Sequence, residues 1–264
     1  FNAGAGVITL ANASNNFTGS VTLNNSGANN VAITDVNAID FGASTLGSGS
    51  FAVTAVGITQ IGAITQASSA GAATFNAGAG VITLANASNN FTGSVTLNNS
   101  GANNVAITDV NAIDFGTSTL GSGSFTVTAV GITQSGAITQ TSSAGSATFN
   151  AGTGVITLTQ SNDFTGSVAL NSTGATVAIT DANAINFGAS TLGSGSFAVT
   201  AVGITQTGTI TAAGNSSFNA GAGVITLTQS NDFTGAVSLN NSGANNVAIT
   251  DANAINFGAS TLGS

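Results

Sequence analysis

The residues of this 264-residue sequence that could trade a proton or hold a cation are eight aspartates: Asp35, Asp40, Asp109, Asp114, Asp163, Asp181, Asp232 and Asp251. Paired carboxylates serve as general acid and base, and carboxylates joined by amide and carbonyl oxygens bind calcium. Neither use fits their placement. Asp40 and Asp114 stand in AIDF, where Asn186 and Asn256 stand in AINF, and Asp163 and Asp232 replace Asn16 and Asn90. A catalytic acid or nucleophile cannot be exchanged for an amide, so these four read as turn and hydrogen-bonding residues. Asp35, Asp109, Asp181 and Asp251 recur once per long repeat in AITD, about three coils apart in the architecture derived below, and read as corner or solvated residues.

Ser and Thr abound, but the sequence holds no Lys, Arg, His, Cys, Met, Trp, Tyr, Pro or Glu. A hydroxyl nucleophile therefore has no base to activate it, no thiolate or imidazole is present for metals, and the GGxGxD calcium repeat is absent. GSGS and NAGAG carry neither GxGxxG nor GxxxxGK[ST], which removes phosphate cradling. The expectation is a chain without catalytic residues, cofactor or metal site, and not an enzyme. A net charge of −8 with no cation also sets nucleic acid aside as a partner. N-x-[ST] triplets at Asn12, Asn16 and Asn215 follow from composition alone.

The mean hydropathy is positive, yet no apolar run approaches the roughly 18 residues of a spanning helix, so no membrane span is expected in this segment. Without Cys, stability must come from packing and backbone hydrogen bonding. The sequence begins without Met and stops inside a repeat, as a piece of a longer protein would.

Self-similarity organises everything else. FNAG restarts at Phe1, Phe75, Phe149 and Phe218, which gives units 1–74, 75–148, 149–217 and an incomplete 218–264. The first two differ only at Ala43/Thr117, Ala52/Thr126, Ile61/Ser135, Ala67/Thr141 and Ala72/Ser146. The third is five residues shorter, and all its gaps fall in Asn, Ser, Gly and Thr segments between apolar runs, as loops on a regular scaffold behave. The runs GVITL, SVTL, VAITDV, AIDF, FAVTAV, GITQ and GAITQ alternate with a period of two and read as strands. Gly and Asn between them supply positive φ at corners.

Strands this closely set leave no room for helical crossovers. They predict an all-β, right-handed parallel β-helix, a β-solenoid continuous over 1–264 and three-sided, with about nine strand-like runs per 74 residues. That makes three coils of roughly 25 residues, or four of roughly 18. The 15 Phe fill four slots per unit and are expected inside, offset-stacked on successive coils, with Asn24, Asn25, Asn29 and Asn30 forming amide ladders at a corner. The Thr-rich strands suggest an ice-binding face, but unequal sequence spacing argues against the long regular array such a face needs.

FNAG, GVITL, GSVTL and GITQ-x-GAITQ, tandem over the whole sequence, resemble the β-strand repeats of filamentous-hemagglutinin-like adhesins and autotransporter passenger domains. The resemblance implies a β-helical shaft secreted across a bacterial outer membrane, extracellular or on the cell surface. The expected function is a structural shaft of a fibre serving adhesion, cell contact or biofilm matrix. Homotypic assembly with other copies is its expected association, and cell-surface glycans or matrix are further partners. The alternative is a binding module whose flat face takes glycan, ice or mineral.

Overall fold

In the computed structural model, which describes all 264 residues, Phe1–Ser264, the alternating runs become 32 short strands and no helix. Consequently no helix is long and apolar enough to cross a membrane. Every strand pairing is parallel, and the strands form three sheets of four, fifteen and thirteen members. The chain is a three-sided parallel β-solenoid of about twelve turns. At a strand separation of about 4.8 Å this makes a rod roughly 60 Å long.

Partners in adjacent coils lie 19 (Asp40↔Thr59) to 24 (Ile132↔Ile156) residues apart in the named strands. Each coil contributes one strand or strand pair to each of two ladders. Along the first ladder, Ile8–Leu10 is followed by Val31–Thr34, Phe51–Thr54, Ala73–Asn76 and Val95–Asn98. Ile113–Phe115, Ile132–Gln134 and Ile156–Asn162 come next. Seven pairings thus carry Ile8 to Ile156, 148 residues on, so a coil averages about 21 residues. A 74-residue unit therefore spans three and a half coils, not the three or four expected from the run count. The half matters: Ile82, the equivalent of Ile8, lies in the opposite ladder, beside Ile58 and Val105. Neighbouring units face opposite sides of the rod.

One side of most coils is straight and the other bends into two short strands, such as Ile39–Phe41 and Ser44–Leu46. Close stacking at corners requires glycine. A Cβ on Gly80 would overlap the backbone of Gly57 in the preceding coil, and Gly57 itself has φ 105°. Positive φ is otherwise confined to further glycines and to Ser69 and Ser143. No Asn adopts it, contrary to expectation; the corner Asn residues act through their side chains instead.

Strand alternation sends one set of side chains inward, and a single cluster of 57 buried apolar residues runs from Ile8 to Leu239. Twelve of the 15 Phe are buried, with the other three, Phe1, Phe17 and Phe257, in the end coils. Their packing corrects the expected offset stack. Phe41, Phe51, Phe75 and Phe91 zigzag across the core with centroids 5.7, 5.5 and 5.7 Å apart and ring planes at 72–90°. Phe115, Phe125, Phe149 and Phe164 repeat this edge-to-face tetrad, as do Phe187, Phe197, Phe218 and Phe233. The reason is positional, because successive rings come from opposing or diagonal sites rather than one column, and edge-to-face contact places the positive ring edge on the negative face. Each tetrad takes two rings from one unit and two from the next, so it locks the joint between units.

Candidate functional site

The polar side chains that the fold draws inward are at the corners. Asp35, Asp109 and Asp181 are buried rather than solvated, each 3% exposed. The chain turns immediately after AITD, and the carboxylate there satisfies two backbone donors. Asp109 accepts from Phe91 N–H at 2.7 Å and from Asn111 N–H at 2.8 Å. Asp181 accepts from Phe164 and Asn183 in the same way, at 2.8 and 2.9 Å. Burial pushes both carboxyls above the ordinary Asp range, against the pull of those N–H donors, and nearby Asp163 pushes Asp181 further. That Asp163–Asp181 proximity across adjacent coils was hidden in the sequence, where the two belong to different slots.

The interchangeable aspartates are acceptors only. Thr59 Oγ1 donates to Asp40 at 2.8 Å and Thr133 Oγ1 to Asp114 at 3.1 Å, while Thr205 Oγ1 donates to Asn186 Oδ1 at 3.3 Å. Asn16, Asn90 and Asp232 likewise accept from Asn37, Asn111 and Asn253. An amide oxygen replaces a carboxylate oxygen without loss of the bond. No group of three or more acidic side chains gathers anywhere in the rod.

Sequence reasoning missed a buried amide pair. Asn89 is fully buried at the bend and exchanges two hydrogen bonds with Gln60, each 2.8 Å. Its Oδ1 also accepts from Ile64 N–H, and its Nδ2 donates to the carbonyls of Leu84 and Thr108. Asn162 with Gln134, and Asn231 with Gln206, repeat the bracket. The available signal was the survival of Asn at this slot when its neighbours change from ASNN to QSND.

The expected corner ladders are realised differently. Asn98 Nδ2 donates to Asn76 Oδ1 at 2.8 Å and Asn171 Nδ2 to Asn150 Oδ1 at 2.9 Å, one coil apart. Asn24, Asn25, Asn29 and Asn30 bond to backbone instead, as where Asn25 Oδ1 accepts from Gly47 N–H. Backbone donors left over at corners are the stronger claim on these amides.

Outward-facing groups are aligned despite their unequal sequence spacing, although each column interleaves Asn with Thr and is not the regular Thr array an ice-binding face needs. Thr34, Thr54, Asn76, Asn98, Thr119 and Thr139 are register partners in six successive coils. Loops at the corners absorb the length differences. A matching column on the other ladder runs through Thr108, Thr128, Asn150, Asn171, Thr191 and Thr211. Beside the first column lies a shallow depression of about 430 Å³ lined by Asn76, Gly78, Asn98, Asn99, Ser100 and Thr119.

Corners closed by buried amides and carboxylates around a stack of parallel coils define a tandem-repeat β-solenoid protein. The chain belongs to the family described as repeats of unknown function (DUF5649), which it matches over residues 1–24, 28–98, 102–171 and 174–240. No curated protein and no solved structure matches it.

Proposed function

We propose that the chain is a rigid, non-catalytic shaft of an extracellular or bacterial cell-surface fibre, serving adhesion, cell contact or matrix assembly. The observation that carries this reading is the uninterrupted core, in which Phe tetrads straddle the joints between units and so resist bending where repeats meet. The carboxylates of Asp109 and Asp181 and the amide of Asn89 are taken up by backbone hydrogen bonds, which leaves them structural work. Resemblance to filamentous-hemagglutinin-like and autotransporter repeats supports the outer-surface location. Absence of Lys and Arg removes every trypsin-type cleavage site, and absence of Cys and Met removes the easily oxidised sulfurs, both suited to long exposure.

Electron micrographs of this chain and of versions with four further units test the reading. Straight rods lengthening by about 17 Å per unit are expected, from three and a half coils of about 4.8 Å. Particles that bend at unit boundaries or collapse would sink it. Antibody labelling of intact cells tests the location, with unlabelled surfaces the contrary result.

A further inference from the structure

We propose that the outward Thr/Asn column is a docking track for an extended, uncharged polysaccharide lying along the rod axis. This goes beyond the shaft reading and has its own test. The column presents one hydrogen-bonding group per coil, about 4.8 Å apart, and an extended β-linked glycan advances by about one such step per sugar. Hydroxyls and amides both donate and accept, as sugar hydroxyls do. Asn76 Oδ1 and Asn98 are engaged within the protein, whereas Asn76 Nδ2 and Thr119 Oγ1 donate to no protein group, and both residues line the depression.

Charge selects the class of polymer. From Thr34 to Thr139 the column carries no carboxylate, and only at its end does Asp163 pair with Thr139. A chain of net charge −8 without a single Lys, Arg or His repels acidic polysaccharides, and a column without carboxylates offers a cationic one no ion pair, so a neutral polymer fits it. Each exposed hydrogen bond is weak against water, but many bonds to one linear polymer act together. Free monosaccharides are therefore not retained, and polymers are. Because the second column lies on the other ladder, one rod holds two polymer strands.

The test is co-sedimentation of the whole chain with cellulose and with chitin, alginate serving as the acidic comparison. Wild type should be retained on at least one neutral polymer and not on alginate. A variant carrying Thr54→Val, Thr119→Val, Thr128→Val and Thr191→Val keeps β-branched shape at four exposed positions and removes only the hydroxyls. It should bind at least tenfold more weakly with an unchanged melting temperature. Asn76→Asp with Asn150→Asp, which keeps the accepting oxygens and adds charge to the strips, should weaken retention as well. Equal retention of wild type and both variants, retention on alginate, or no retention on either neutral polymer overturns the proposal. So does arrest of ice growth without polymer binding. Micrographs of the rod are unaffected by any of these results, so the shaft reading fails separately.

Discussion

The second unit, residues 75–148, and the third, 149–217, form the same coils from segments that differ by five residues in length. At the bend of the second, Asn86 makes a local turn: its Oδ1 accepts from Ser88 N–H at 2.9 Å and its carbonyl from Asn89 N–H at 3.1 Å. In the third the turn is gone, and one strand, Ile156–Asn162, runs through the bend with a register shift between Leu158 and Asn162. Yet Asn162 reaches the same partners as Asn89: the preceding Gln, the N–H two residues past its glycine, and the Leu and Thr carbonyls. Inward side chains and brackets fix the coil, while the outer path of the chain between them is free to vary in length.

If that is right, core truncations must cost the same in both units. Phe115→Ala and Phe187→Ala remove the first ring of equivalent tetrads and should each destabilise by about 3–5 kcal/mol in urea titrations. A difference of more than about 1 kcal/mol, beyond the usual scatter of independent sites, would break the equivalence. Next in size are the brackets. Asn89→Ala and Asn162→Ala leave buried donors and acceptors of Gln and backbone unpaired, and about 3 kcal/mol is expected for each, again equally. A much smaller cost at Asn89 would show that the Asn86 turn holds the bend by itself.

The strands and the inward Phe slots were readable because both rest on a period of two and on residue size, which are local properties. The coil number was not. It depends on pairing across 19 to 24 residues, and corners of different length keep the same register, so counting runs per unit gave whole numbers where the chain takes a half. The Asn89 bracket was equally hidden, since its partner Gln60 lies 29 residues away and other Asn residues surround it. Asp109 and Asp181, read from sequence as corner or solvated residues, sit at corners but are not solvated, and their burial follows from Phe91 and Phe164 of the preceding coil, whose neighbourhood no local pattern predicts.

Acid acts on both units in the same direction, and by a smaller margin. Burial raises the folded carboxyl of Asp109 and of Asp181 above its unfolded range, so their contribution favours folding below the unfolded pKa and is lost as pH rises through the folded one. With no Lys, Arg or His to add positive charge, acid moves the net charge from −8 toward zero. The urea midpoint should therefore be higher at pH 3 than at pH 7, and Asp109→Asn with Asp181→Asn should flatten the difference. Loss of structure in acid would contradict the burial of these groups.

The smallest effect lies in the longest loop difference. In the second unit TSSAG places Ser143 at φ 59°, and Gln140 beside it is buried with neither amide atom bonded. In the third unit the loop is three residues shorter, none of its residues has positive φ, and Ala212 occupies the Gln140 slot. The longer loop thus carries a strained serine and an unmet amide that the shorter one lacks. Ser143→Gly removes the Cβ that makes the left-handed region costly, and glycine's greater unfolded freedom takes back part of the gain. A stabilisation of about 1 kcal/mol or less is expected, visible as a higher urea midpoint with an unchanged slope. The same change at Ser69, at φ 56° in the first unit, should match it, because the two loops differ only at Ala67/Thr141 and Ala72/Ser146. Destabilisation at both would mean that the serine hydroxyls, not the backbone, hold this corner.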